Sequence, residues 1–205
     1  MEDSKSYIKI LEDYGRKSGR EVFSEIKRYK RQHGMGMHGE PEAWYFSMRE
    51  SSNSNIFLAC YYGSNLEVGK YRTYSGVFFP VDAPLDSNML LSQSDVLDKV
   101  SGIFNKRAKT GYSKFDKKTI LKTNDSSLAR KLFSRASVQS EILKSYQDLT
   151  GLLIGVNEIN IRFIPELEGR STVAAFIRYD WITEGKQIEH LFKLGSLLQD
   201  QTSSI

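Results

Sequence analysis

One cysteine, four prolines and three histidines among 205 residues exclude several chemistries before any motif is sought. A single thiol, Cys60, closes no internal disulfide, so the fold must stand on its packed core, which suits a reducing cytoplasm. That thiol lies in the apolar run FLACYY, where burial would leave it inert. Metal donors are scarce as well. The one cluster, His33, His38, Glu40 and Glu42, sits around a glycine loop, and its H-x4-H spacing matches no closed zinc pattern. No metal and no cofactor is expected. Long apolar runs are missing: Asn55–Tyr62 and Ser75–Val81 fall far short of the roughly 20 residues that span a bilayer. The opening MEDSKSYIKILEDYG is charged throughout and lacks the apolar stretch of a secretion signal. A cytoplasmic location is the resulting expectation.

Catalytic signatures are equally scarce. There is no G-x-S-x-G elbow, no G-x-x-x-x-G-K phosphate loop and no dinucleotide fingerprint. GMGMHG follows a helical pattern instead of a strand and opens no helix promptly. Glu166, Glu168 and Asp180 have no spacing that holds them together, and paired carboxylates in loops are ordinarily solvated. The expectation is a chain without enzymatic activity.

What is present describes structure. Hydrophobic residues make up 40% and charged residues 26%, with eleven Tyr and eleven Phe, the balance of a globular chain with a sizeable core. The clearest stretch is Lys114–Leu149. Thr119–Thr123 reads as a strand. Asn124 or Asp125 then supplies a helix cap, its side-chain oxygen accepting from free N–H groups of the first turn. Leu128, Leu132 and Ala136 recur at helical spacing, with Phe133 beside them. Ser137 reads as a second cap, before the stripe Val138, Ile142, Tyr146 and Leu149. Gly151 ends the unit.

The segments YSGVFFPVD from Gly76, FDKKTILKTNDSSLARKLF and LLIGVNEINIRFI resemble an uncharacterised bacterial domain family. Its members carry an F-x-G-x-F strand, then F-x-x-x-F-x-V-x-(T/S)-x-D-x-x-x-A-R, then a helix and two antiparallel strands. The resemblance spans residues 66 to 198 and differs at Tyr74 and Ile120, where the family has Phe. It implies a fold and carries no activity.

Around this unit, residues 4–33 read as helix in one or two pieces. Tyr7, Ile10, Leu11 and Tyr14 share a face, Gly15 and Gly19 weaken the middle, and Val22, Ile26 and Tyr29 resume the stripe with Phe23 beside it. The cations Lys27, Arg28, Lys30 and Arg31 suit a helix C-terminus. Glu42–Glu50, Asn55–Tyr62 and Lys70–Val81 read as a half-buried antiparallel meander. A short strand is expected within 85–91 and a short helix over Ser94–Phe104. Leu152–Val156 and Ile159–Ile164 read as a hairpin about Asn157-Glu158, and Thr172–Trp181 as a strand, which would set Arg162 and Arg178 on adjacent strands. A helix from Glu184 to Leu198 carries the stripe Ile188, Leu191, Phe192, Gly195 and Leu198. The whole is an α+β chain: one or two antiparallel sheets packed by a central helix pair, an N-terminal and a C-terminal helix. Residues 1–33 form the N-terminal helical segment, 40–198 the α+β domain and 199–205 a frayed tail.

Charge is the one asymmetric feature. Residues 106–135 hold ten Lys or Arg against Asp116 and Asp125, giving that segment +8 and leaving −4 for the rest of a chain whose net charge is +4. Lys106, Arg107, Lys109, Lys114, Lys117 and Lys118 crowd around Gly111 and Ser113, where long side chains could adapt to a nucleic acid or an acidic lipid headgroup. The same lysines suit a solvated face, and that is the reading preferred for the segment. Two functions are therefore expected in order: a non-catalytic domain binding a protein partner, then a binder of an anionic surface through this segment.

Overall fold

A computed structural model of the chain describes residues 2–28, 42–63, 72–94 and 108–202, with side chains from residue 6 onwards. The fold is α+β. Eight strands form one wholly antiparallel sheet: β1 (Val22–Arg28), β2 (Glu42–Arg49), β3 (Phe57–Gly63), β4 (Thr73–Pro80), β5 (Met89–Gln93), β6 (Thr119–Thr123), β7 (Leu153–Val156) and β8 (Thr172–Arg178), in the order β1-β2-β3-β4-β8-β7-β5-β6. Five helices stand among the described residues: α1 (Glu2–Lys17), α2 (Ser113–Asp116), α3 (Ser126–Leu132), α4 (Ala136–Asp148) and α5 (Gly185–Thr202).

The meander of β2, β3 and β4 falls where its β-branched and aromatic runs place it. It is not half-buried, however. Trp44, Phe46, Met48, Leu58, Cys60, Val77 and Phe79 enter the core on the helical face, while Tyr45, Phe57, Tyr61, Tyr74 and Phe78 are buried on the opposite face. Covering both faces explains why NIFLACYY runs on without polar alternation. On the second face Tyr45, Tyr61 and Tyr74 form a file of rings, centroids 5.3 Å and 5.5 Å apart.

Residues 159–164 help cover that face. They form no second strand of a hairpin: Asn157 turns at φ 53, and Ile159, Ile161, Ile164 and Leu167 lie across the sheet as a strap. The alternation that suggests a strand arises because an extended chain crossing an apolar surface also buries alternate residues. Arg162 is consequently an exposed strap residue, and shares no strand pairing with Arg178.

The N-terminal segment differs most from its sequence reading. Helix α1 stops at Lys17, because Gly19 takes a left-handed φ of 68 and the Arg20 N–H closes the end on the Gly15 carbonyl at 2.9 Å. Residues 22–28 are then strand, paired with β2 from Val22↔Met48 to Arg28↔Glu42. A helical segment over 1–33 is thus corrected. Val22 and Ile26, four residues apart, share one face of a helix and equally one face of a strand.

Within the central unit, Asp125 is the cap, its Oδ1 accepting from the Leu128 N–H at 2.9 Å. Ser137 is not: α4 begins after Arg135, with no side-chain cap bond. Both α3 and α4 contact α5, which itself lies on β3, β4 and β8. Gly195 faces Ile56 and Val77, allowing the close approach of α5. That helix runs to Thr202, with Gln201 buried, so residues 199–202 belong to it and not to a frayed tail. The helix expected over Ser94–Phe104 and the glycine loop of residues 34–39 lie outside the described residues.

Candidate interaction surface

Four of the six basic candidates can be placed. Lys109, Lys114, Lys117 and Lys118 are exposed around α2; Lys106 and Arg107 lie outside the described residues. The turn beneath them is built by Asp116, whose carboxylate accepts from the Thr110 N–H at 2.9 Å, the Thr110 hydroxyl at 2.7 Å and the Gly111 N–H at 3.2 Å. Of the other described cations of the segment, Arg130 and Arg135 are exposed on and after α3, and two are drawn inward. Lys122 is buried, and the Lys131 Nζ donates to the Thr202 carbonyl at 3.2 Å, satisfying the last turn of α5. Phe115 is core, 5.7 Å from Phe133 between centroids. The segment thus presents a loose lysine cluster around one turn, and none of these four lysines lines the grooves at Arg162, Ile26 or Phe163.

Of the metal candidates, His33, His38 and Glu40 lie outside the described residues, and Glu42 accepts from the Arg28 Nε at 2.9 Å. Among the described residues no group of three His, Cys, Asp or Glu could hold a metal ion, and no helix is long and apolar enough to cross a membrane. Glu166 pairs with Arg49, so it does not join Glu168 and Asp180. Cys60 has no exposed surface, and burial pushes its thiol up to about 12, offset in part by a contact with the Ser75 hydroxyl at 3.4 Å.

Between α4 and α5 the fold assembles a constellation the sequence could not announce, since its members stand 45 residues apart. The His190 Nε2 is 2.7 Å from the Ser145 Oγ, and the Nδ1 is 3.2 Å from an Asp148 carboxylate oxygen. The order serine, imidazole, carboxylate matches a hydrolytic triad. The chemistry does not follow. Ser145 has no exposed surface, and its hydroxyl donates to the Glu141 carbonyl at 2.7 Å, so the Oγ proton is directed away from the imidazole that a nucleophile must reach. Lys193 adds an ion pair to Glu141 at 2.9 Å and holds that carboxyl below its usual range, against a smaller opposing effect of burial. This cluster ties α4 to α5.

A second tie holds α1 to α5. Arg20 forks onto Glu189, Nη1 to Oε1 at 2.5 Å and Nη2 to Oε2 at 2.9 Å, while the Tyr14 hydroxyl donates to the same carboxylate. The guanidinium also lies 4.7 Å from the Phe192 ring centroid. The hydrogen bond from Arg20 lowers the Glu189 carboxyl from its ordinary range, with burial opposing.

The two terminal strands of the described sheet are β6, which carries an isolated bridge from Leu121 to Ala108, and β1. The Arg49 N–H donates to the Glu21 carbonyl at 3.1 Å, and antiparallel pairs exchange hydrogen bonds at every second residue. Phe23, Glu25 and Lys27 therefore turn their backbone groups to β2. Val22, Ser24, Ile26 and Arg28 turn theirs outward, where no described strand lies beside them. Phe23 and Ile26 are each 45% exposed, large apolar side chains on opposite faces of the same strand. A groove of about 430 Å³ between α1 and β1 is lined by Ile8, Lys9, Glu12, Ile26 and Trp44 among others. Sequence reading missed this edge; the signal was Gly19, a helix stop, followed by seven residues short enough for a strand.

Comparison with family models, curated proteins and solved structures finds no match to this chain.

Proposed function

We propose that the chain is a non-catalytic interaction domain that binds a protein partner, with the β1 edge as its docking surface. The observation that carries this reading is the outward row of backbone donors and acceptors at Val22, Ser24, Ile26 and Arg28, flanked by exposed Phe23 and Ile26. An added strand satisfies such a row with main-chain hydrogen bonds, while side chains on the two faces supply selectivity. Membership of the bacterial domain family that the central motifs resemble belongs to the same reading, and adds a fold without an activity.

The test is a substitution that spares the monomer. Ile26→Pro removes an outward N–H and no bond to β2, a position where edge strands tolerate proline. Proteins captured from a cell extract by the native chain should be lost with Ile26→Pro and retained when Lys109, Lys114, Lys117 and Lys118 are neutralised together. The reverse pattern favours the second reading, an anionic surface bound by those four exposed lysines. That reading also requires binding to a polyanion to weaken steeply with salt as counterion release is lost.

A further inference from the structure

The outward residues of β1 have an order that complements itself. In a continuous antiparallel sheet, a two-fold axis perpendicular to the sheet keeps each residue opposite one on the same face. An axis through Ile26 sets Ile26 against Ile26 of the second copy, as a hydrogen-bonded pair, because the Ile26 backbone groups point outward. The next pairs along the same face are Ser24 with Arg28 of the second copy, and the converse. On the other face Glu25 meets Lys27 of the second copy, twice.

Other registers fit worse. Centring on Glu25 or on Lys27 opposes like charges at the closest, non-hydrogen-bonded position, which is destabilising. Centring on Ser24 sets Glu25 against Phe23 and Arg28 towards Arg20. Only the Ile26 register pairs every charge on the strand with an opposite or neutral group. Side chains agree with it. Glu25 and Lys27 are both partly exposed and 3.2 Å apart within one strand, with the Lys27 ammonium 5.2 Å from the Tyr45 ring centroid, so pairing across the edge extends an existing ion pair into a four-charge cluster of alternating sign. Ser24 donates to the Glu12 carboxylate at 2.6 Å, which places an acid beside the position Arg28 of the second copy would take. Ile26 also borders the groove between α1 and β1, so a second Ile26 enters apolar surroundings.

We infer that the partner seated on the β1 edge is a second copy of this chain, joined about a two-fold axis at Ile26 so that the two sheets run on as one. The inference rests on the reading of β1 as the docking surface and names its occupant.

Charge reversal tests both the occupant and the register. Glu25→Lys alone opposes like charges at both cross-strand positions, and Lys27→Glu alone does the same with the opposite sign. Each variant should self-associate about tenfold or more weakly than the native chain, because two attractive pairs become two repulsive ones. Mixed together, the two variants regain opposite charges at both positions and should form a heterodimer, read by sedimentation velocity of an equimolar mixture. Ile26→Pro, checked for a native circular dichroism spectrum, should be monomeric. A native chain that stays monomeric at about 100 µM, where a weak dimer of micromolar affinity would form, overturns the inference. So does a dimer indifferent to Ile26→Pro, or two reversed variants that fail to pair with each other. If the native chain is monomeric yet still captures another protein in an Ile26→Pro-sensitive way, the occupant is wrong and the docking surface stands. If the monomeric native chain captures nothing, or captures a protein that Ile26→Pro still binds, both fall.

Discussion

Tyr74→Phe should stabilise the protein, although it removes a polar group from the middle of the sheet. The Tyr74 ring is wholly buried on the face opposite the helices, and its hydroxyl has no hydrogen-bond partner among the described residues. Burial raises its pKa well above the ordinary phenol value, and the neighbouring Tyr61, Cys60 and Tyr45 raise it further, so the group stays neutral. In the unfolded chain that hydroxyl bonds to water. Folding removes those bonds without replacing them, at a cost of about 1–3 kcal/mol. Deleting the oxygen recovers most of this, less a few tenths of a kcal/mol for the small void, at about 24 cal/mol per Å³ of cavity. The net expectation is a gain of about 1–2 kcal/mol. Tyr146 is a second instance, buried with no hydroxyl partner among the described residues, and Tyr146→Phe should share the sign. Tyr14 is the opposite case, since its hydroxyl donates to Glu189. Tyr14→Phe should lose about 0.5–1.5 kcal/mol. Urea denaturation of the three variants, compared at constant m-value, reads the signs directly. A clear loss of stability in Tyr74→Phe would refute the reasoning, because it would mean that the hydroxyl is satisfied in the folded protein.

Leu132 has no exposed surface within the core shared by the sheet and helices; Leu132→Ala should cost about 3 kcal/mol by transfer and cavity effects, measured as a fall in the denaturation midpoint. Cys60, its thiol raised by burial to about 12, should resist iodoacetamide at pH 8 in the folded protein and react at once in urea. Glu189 has a folded-state pKa below its unfolded value of 4.5, so its ion pair with Arg20 contributes above that pH and is lost as pH falls through the folded pKa. Glu189→Gln should therefore flatten the loss of stability with acid below about pH 4.5, with a small effect, since Glu189 is half exposed.

The elements legible from sequence were those with one dominant period. Leu128 and Leu132, then Val138, Ile142 and Tyr146, mark helices that the structure keeps, and of the two cap residues that precede them in sequence it is Asp125 that accepts from the Leu128 N–H. The α5 stripe from Ile188 to Leu198 is likewise buried throughout. Ambiguity set in where two periods coincide. Val22 and Ile26 fit a helix and a strand alike, and only the left-handed turn at Gly19 separates α1 from β1. Ile159 and Ile161 alternate like a strand but form a strap, because burial of the second sheet face is a tertiary fact that local pattern cannot carry. The same holds for the proposed docking edge. The lysines around α2 were visible as a run of charge, whereas the edge position of β1 follows from a strand order fixed by pairings far apart in the chain. Ser145 and His190 meet because α4 packs on α5, a contact equally remote in sequence.

Backbone amide exchange along β1, resolved residue by residue by NMR, tests the central claim most directly. In dilute protein the amides of Ser24, Ile26 and Arg28 should exchange quickly, while those of Phe23, Glu25 and Lys27, bonded to β2, should be protected. Raising the concentration should protect the first set and leave the second unchanged, as an added strand closes the edge. Outward amides already protected in dilute protein, or exchange that ignores concentration and added partner alike, would contradict the assignment of β1 as the surface through which this protein binds.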